Sequence, residues 1–176
     1  MEKQGKIHYS EFTGKEISMI LAATEKGLCW ASLAEEDKEK ALEKWKDKHF
    51  PNHLLIEDPL KLEPYWSCFQ AYFSRIEKDF DIPLDLQGTP FQLTVWQALR
   101  KIPFGETRSY SELAEAIGNP NGVRAVGSAV GRNPVLIVVP CHRIIQKNGG
   151  LGGFSAGLPL KKQLLQHERI KLGQML

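Results

Sequence analysis

Cysteine is scarce. Cys29, Cys68 and Cys141 are the only three in 176 residues, an odd number at wide spacing with no Cys-x-x-Cys pair. That pattern excludes a disulfide framework and fits a reducing compartment. The five histidines show no metal-ligand spacing, so no metal and no other cofactor is expected. No apolar run approaches the roughly 18 residues that cross a bilayer, so no membrane association is expected. The first residues, "MEKQGKIHYSEF", hold no apolar stretch of the signal-peptide kind, and a cytoplasmic location is expected. Aspartate is absent from Pro90 to the end of the chain. That stretch carries 11 Lys and Arg against four Glu, a net +7, whereas residues 1–89 carry −5. Such asymmetry is a hint that one half meets a polyanion such as nucleic acid, with chance segregation as the alternative.

What is present is enough apolar residue, 42%, for an ordinary globular core. "ISMILAATEKGLCWASLA" predicts two strands, residues 17–24 and 28–34, turning at "EKG". "DKEKALEKWKDKHF" predicts a surface helix on the spacing of Ala41, Leu42 and Trp45. "YWSCFQAYFSRIEKDF" predicts a second helix with Trp66, Phe69, Gln70, Phe73 and Ile76 on one stripe, continued by Phe80. Cys29 and Cys68 fall inside these patterns and read as buried structural thiols. The two prolines and the glycine of "DIPLDLQGTP" mark a domain boundary, giving an N-terminal α/β domain over 1–87 and a second domain over 88–176.

The second domain opens with an amphipathic helix, "PFQLTVWQALRKI", with Pro90 in its first turn. "SYSELAEAIG" begins with a capping box at Ser109 and Glu112 and stops at Gly118. With "GVRAVGSAVG" it makes a helix-turn-helix. The second of these helices carries Ala125, Gly127 and Ser128, with Arg124 its one long polar side chain. Major-groove readers present Arg, Asn or Gln to base edges. The small residues therefore fit either tight packing inside the domain or a helix sunk in the minor groove with Arg124 as a wedge. "VLIVV" predicts a short apolar strand between Pro134 and Pro140. "KNGGLGGFSAG" predicts a loop or wing-like hairpin that comes close to a ligand. A basic amphipathic helix with Lys161, Lys162, Leu164, Leu165 and Glu168 ends the chain.

Cys141 and His142 stand side by side at the end of that apolar run. A thiol is a strong nucleophile only as thiolate, which requires a lowered pKa or a nearby base. His142 is the nearest base. On a regular strand the two side chains would face opposite ways, so their cooperation requires an irregular backbone or a bridging water. An imidazole base also needs a carboxylate to orient it. Glu106, Glu112, Glu115 and Glu168 are the acids available after residue 89, and Glu168 is weakly singled out by its place on the last apolar helix. A buried structural thiol and a nucleophile both remain open on these grounds.

The segments "PFQLTVWQALRKIPFGETRSYSELA", "RAVGSAVGRNPVLIVVPCHRII" and "GFSAG", with the terminal "HE", resemble the O6-alkylguanine-DNA alkyltransferases, or methylated-DNA–protein-cysteine methyltransferases. The resemblance spans most of residues 88–168. It implies an α/β (α+β) chain, with a small ribonuclease-H-like N-terminal domain and a helical C-terminal domain carrying the helix-turn-helix and the acceptor. It implies that Cys141 takes an alkyl group once and irreversibly from O6-alkylguanine in duplex DNA, with O4-alkylthymine as the further candidate lesion. His142 would act through a water, with Glu168 holding the imidazole. Tyr110 would help rotate the nucleotide and hydrogen-bond the leaving base, Arg124 would fill the gap in the stack, and Asn133 would tie the helix to the acceptor. Ser155 would bond the substituted oxygen, and the carbonyls of Cys141 and Ile144 would read the exocyclic amine. Phe154 stands where many relatives have tyrosine, and Ala156 where they have glycine, which bears on substrate breadth. The zinc ligands of some animal relatives have no counterpart set. The implied partner is alkylated double-stranded DNA, bound from the minor groove by a monomer in the cytoplasm, or at the nucleoid of a bacterium. A non-catalytic damage flag, a transcriptional regulator and a cysteine hydrolase are the competing readings.

Overall fold

A computed structural model describes residues 4–170 of this mixed α/β chain. It divides into two compact units, Met1–Gln87 and Gly88–Leu176.

In the first unit β1 (Lys6–Phe12), β2 (Met19–Thr24) and β3 (Gly27–Leu33) form an antiparallel meander. The chain then crosses through α1 (Lys38–His49) to β4 (Leu54–Glu57), which pairs parallel to β1. The sheet order is β3-β2-β1-β4. Ile7, Ile20, Ala22, Cys29 and Leu42 form one core cluster, with Trp30 and Trp45 packed against it. Neither β1 nor β4 was evident from apolar patterning, because β1 mixes apolar with polar and charged residues and β4 is only four residues long. Gly27 (φ 152°) lets the connector lie against β3, since a Cβ there would come within 2.4 Å of Pro83 O. Leu28 N–H donates to Pro83 O and Asp85 N–H to Leu28 O, each at 2.9 Å.

Helix α2 runs over Pro59–Phe73, starting earlier and ending earlier than its stripe predicts. Asp58 caps it by accepting from Lys61 N–H, and Pro59 takes the first turn, where its missing N–H costs nothing. After Ser74 the chain turns at Arg75, φ 61°. Ile76 is therefore 75% exposed instead of buried, and Gln70 is exposed as well. Phe80 still reaches the core from the following segment, 5.1 Å from Phe69 between ring centres. Cys29 is buried, but Cys68 is only half-buried and donates to Pro64 O.

In the second unit α3 (Pro90–Leu99) begins with a complete capping box between Thr89 and Gln92. It packs with α4 (Tyr110–Ala116) and α5 (Val123–Gly131). Val95, Trp96, Leu99, Leu113, Val126 and Val130 are buried among them, each contributing about 1.5–3 kcal/mol on the scale for full burial of such side chains. Trp96 Nε1–H donates to Ala129 O at 2.8 Å, so the one polar atom of the largest core side chain is satisfied. One arm of the predicted capping box of α4 forms, Glu112 N–H to Ser109 Oγ at 3.0 Å.

"VLIVV" is not a strand. Val135–Val139 is a buried turn, with Ile137 at φ 74° and Val139 N–H donating to Val135 O. Pro134 and Pro140 bring no N–H to a ladder. The Asn133 side chain satisfies the turn instead, accepting from Val135 N–H at 3.0 Å and donating to Val139 O at 2.7 Å. Beyond it come a 3-10 turn (Cys141–Arg143) and β6 (Ile144–Ile145), which pairs parallel with β5 (Arg108–Ser109). Residues 147–157 form a loop with isolated turns, without the strands of a hairpin. Helix α6 (Leu158–His167) follows.

Candidate active site

The 3-10 turn supplies the irregular backbone that a Cys–His pair requires. Its two leading side chains are buried, Cys141 at 3% and His142 at 0% exposure. Asn133 Nδ2–H donates to Cys141 Sγ at 3.2 Å while holding Val139 O, so one carboxamide at the end of α5 fixes both the turn and the thiol. Burial pushes the thiol up to about 11, against the pull of that hydrogen bond and of the nearby Lys161 charge. A neutral thiol of this kind needs a base before it can attack.

His142 is placed to be one. Its Nε2–H donates to Glu168 Oε1 at 2.9 Å. Burial holds the imidazole below its ordinary pKa, and Glu168 does not fully offset this. Burial also disfavours the Glu168 carboxylate, but hydrogen bonds from His142 and Arg143 overcome that and hold it down to about 2. The pair is thus a neutral imidazole on an ionised carboxylate. With its proton on Nε2, the basic lone pair is on Nδ1, a buried atom with no hydrogen-bond partner in the protein. That orientation leaves Nδ1 able to accept a proton. The charge that balances Glu168 is Arg143. Its Nε–H and Nη2–H donate to the carboxylate at 2.9 and 2.7 Å, and Nη1–H to Ile102 O at 2.6 Å. Glu106, Glu112 and Glu115 are all exposed, so Glu168 is the acid at this site.

A cavity of about 200 Å³ opens onto Cys141. Tyr110, Gly127 and Val130 form one side of it, and Gly153, Phe154 and Ser155 the other. Burial raises the Tyr110 phenol, and the nearby Cys141 adds to this, so the hydroxyl stays a proton donor. Gly152 (φ 71°) abuts that ring, where a Cβ would lie 3.2 Å from Cε2. The predicted close approach of the glycine loop is therefore to a side chain of the site. On α5 Val126, Ala129 and Val130 face inward, whereas Arg124, Ala125 and Ser128 are exposed and Gly127 is half-buried. The small residues at 125 and 128 are not packing spacers. Ile144 is buried, and its carbonyl accepts from Lys161 Nζ at 2.6 Å.

Arg143 and Lys161 were not singled out by sequence reasoning. Lys161 belongs to the predicted basic amphipathic helix, and it is fully buried. Its spacing was the available signal, since Lys161 lies three and four residues before Leu164 and Leu165 on the apolar stripe.

A helix-turn-helix followed, two residues past its second helix, by the Asn133 that grips a buried thiol defines a DNA-binding-type protein with a candidate nucleophile of its own. Residues 90–170 match the family model described as the DNA-binding domain of 6-O-methylguanine DNA methyltransferase. The chain is 44% identical to an inducible methylated-DNA–protein-cysteine methyltransferase of Bacillus subtilis, over 96% of this chain and 94% of that one. It superimposes on the crystal structure of Mycobacterium tuberculosis O6-methylguanine methyltransferase with a TM-score of 0.80, at 37% identity over 93% of both chains. A structure of the Mycobacterium tuberculosis protein in complex with DNA gives 0.79, at 37% identity over 92% of both. The chain belongs to the methylated-DNA–protein-cysteine methyltransferase family.

Proposed function

We propose that this protein repairs DNA by moving an alkyl group from O6 of guanine, and from O4 of thymine where it fits, onto Cys141. The observation that carries the reading is the gripped thiol: a buried Cys141 Sγ facing a cavity, backed by an imidazole whose one unpartnered nitrogen is its basic one. The thiol proton passes through a water to His142 Nδ1, and Glu168, with Arg143 behind it, stabilises the imidazolium. The Sγ–carbon bond forms as the carbon–O6 bond breaks, and guanine leaves with a proton supplied from Tyr110. Ser155 hydrogen-bonds the substituted oxygen, and the carbonyls of Cys141 and Ile144 accept from the exocyclic amine. The product thioether has no route back to the thiol, so each molecule acts once.

The target base must leave the duplex to reach a buried sulfur, at a cost of about a few kcal/mol. Arg124 offsets it by filling the gap, and exposed Ala125 and Ser128, with Gly127, let α5 enter the narrow minor groove. Asn133 couples that helix to the acceptor. The order β3-β2-β1-β4, with β4 parallel to β1, supports a ribonuclease-H-like N-terminal domain over 1–87, ahead of an acceptor domain over 88–176. We place the protein in the cytoplasm, at the nucleoid in a bacterium, acting as a monomer.

A duplex carrying tritiated O6-methylguanine tests the reading. Label passes to protein up to one equivalent and then stops, while Cys141→Ser binds the duplex and takes none. Label released as methanol, with continuing turnover, would instead mark a hydrolase.

A further inference from the structure

Lys161 has no part in the chemistry above, yet it is 0% exposed. Its Nζ donates to three backbone carbonyls, Ile144 O at 2.6 Å, Leu151 O, and Gly153 O at 3.2 Å. Those three bonds use every donor an ammonium has. Among the described residues no salt bridge includes Lys161, and Glu168 bonds His142 and Arg143. Burying an ammonium without a counter-ion is costly, and a neutral side chain could tie a loop without that cost. The charge therefore calls for a reason at the site. Two of the three carbonyls belong to the site itself. Gly153 lines the cavity beside Phe154 and Ser155, and Ile144 carries the carbonyl assigned to the exocyclic amine.

We propose that Lys161 is a positioning residue for alkyl transfer. From α6 its ammonium pins β6 and the glycine loop at three points, fixing the cavity wall and the Ile144 carbonyl, and its charge favours the Cys141 thiolate that attacks. The electrostatics agree in direction, since Lys161 lowers the pKa of the Cys141 thiol and Cys141 raises that of Lys161, while burial brings Lys161 down to about 8. His142, whose pKa Lys161 also lowers, is the other titratable group on which its charge acts. The inference rests on the acceptor role of Cys141.

The test compares wild type, Lys161→Met and Lys161→Arg. Single-turnover transfer is measured from free O6-methylguanine across concentration and pH, and Cys141 reactivity toward iodoacetamide across pH. Lys161→Met moves both pH profiles to higher pH, each unit being about tenfold in thiolate at neutral pH, and raises the half-saturating base concentration. Lys161→Arg restores the pH profile because it keeps the charge, but not the half-saturation. A lower melting temperature with superimposable profiles and unchanged half-saturation would overturn the proposal and leave Lys161 a structural residue. Should Lys161→Met not fold, NMR of the wild type decides. A slowly exchanging lysine NζH₃ signal, coupled through hydrogen bonds to the Ile144 and Leu151 carbonyl carbons, must move when Cys141 is methylated. Its absence, or its indifference to methylation, overturns the proposal. Wild type taking up no methyl group would instead overturn the acceptor reading on which the inference rests.

Discussion

Glu168→Gln is the substitution whose consequences can be worked through from the structure. The carboxylate is 2% exposed and bears on both His142 and Arg143. Its pKa falls from an ordinary 4.5 to about 2, a displacement equivalent to about 3 kcal/mol. Breaking a buried ion pair from one side costs about 3–5 kcal/mol, so the two routes agree. For a unit of this size the melting temperature should fall by roughly 10–25 °C. The sign of the pH dependence follows. The folded-state pKa is depressed, so the stabilisation is complete above about 4.5 and disappears as pH falls towards about 2. The gap between wild type and Glu168→Gln should therefore be full at pH 7 and close in acid. Urea unfolding of the full chain, followed by a fluorinated-tryptophan resonance of Trp96, measures it in the C-terminal unit. A gap that stays constant from pH 7 to pH 2, or no gap at all, would refute the reasoning. Transfer should slow as well, because the imidazole loses the carboxylate that holds its Nε2–H and leaves Nδ1 as the basic nitrogen.

Arg124→Ala should leave the unfolding free energy within about 0.5 kcal/mol of wild type, since the side chain is exposed. It should slow single-turnover repair of a methylated duplex far more than transfer from the free modified base; equal slowing would place Arg124 in the pocket. His142→Ala should shift the iodoacetamide-versus-pH curve of Cys141 upward, and coincident curves would remove the imidazole as base. Gly152→Ala puts a Cβ 3.2 Å from the Tyr110 ring at φ 71°, so it should cost about 1–3 kcal/mol and slow transfer, seen by thermal melting and single-turnover rates. DNA affinity should fall steeply with salt through counterion release from the positive half, and a salt-insensitive Kd would argue for a sequence reader.

The elements with clean periodicity were legible: β2, β3, α1, α3, α4 and α5. So was the turn chemistry at Gly27 and Ser109. β1 and β4 were not: β1 mixes its apolar residues with polar and charged ones, and β4 is only four residues long and pairs with a strand distant in sequence. The run "VLIVV" misled for the opposite reason. Five apolar residues suit a strand, but two prolines and the Asn133 carboxamide close them into a turn, which no periodicity reports. Composition weakly singled out Glu168, yet it could not show that Arg143 balances it. Lys161 was legible only as one residue of a basic amphipathic helix, although its spacing lay on the apolar stripe. Buried charges are where charge and pattern disagree, and both of these lie at the site.

The central claim is that Cys141, of three cysteines, is the one alkyl acceptor. Intact-mass measurement after incubation with excess methylated duplex, followed by peptide mapping, tests it directly. The account predicts a gain of one methyl group, stable to further incubation, found wholly on the peptide containing Cys141. A methyl on Cys29 or Cys68, more than one per molecule, or an unmodified chain beside demethylated DNA would contradict it.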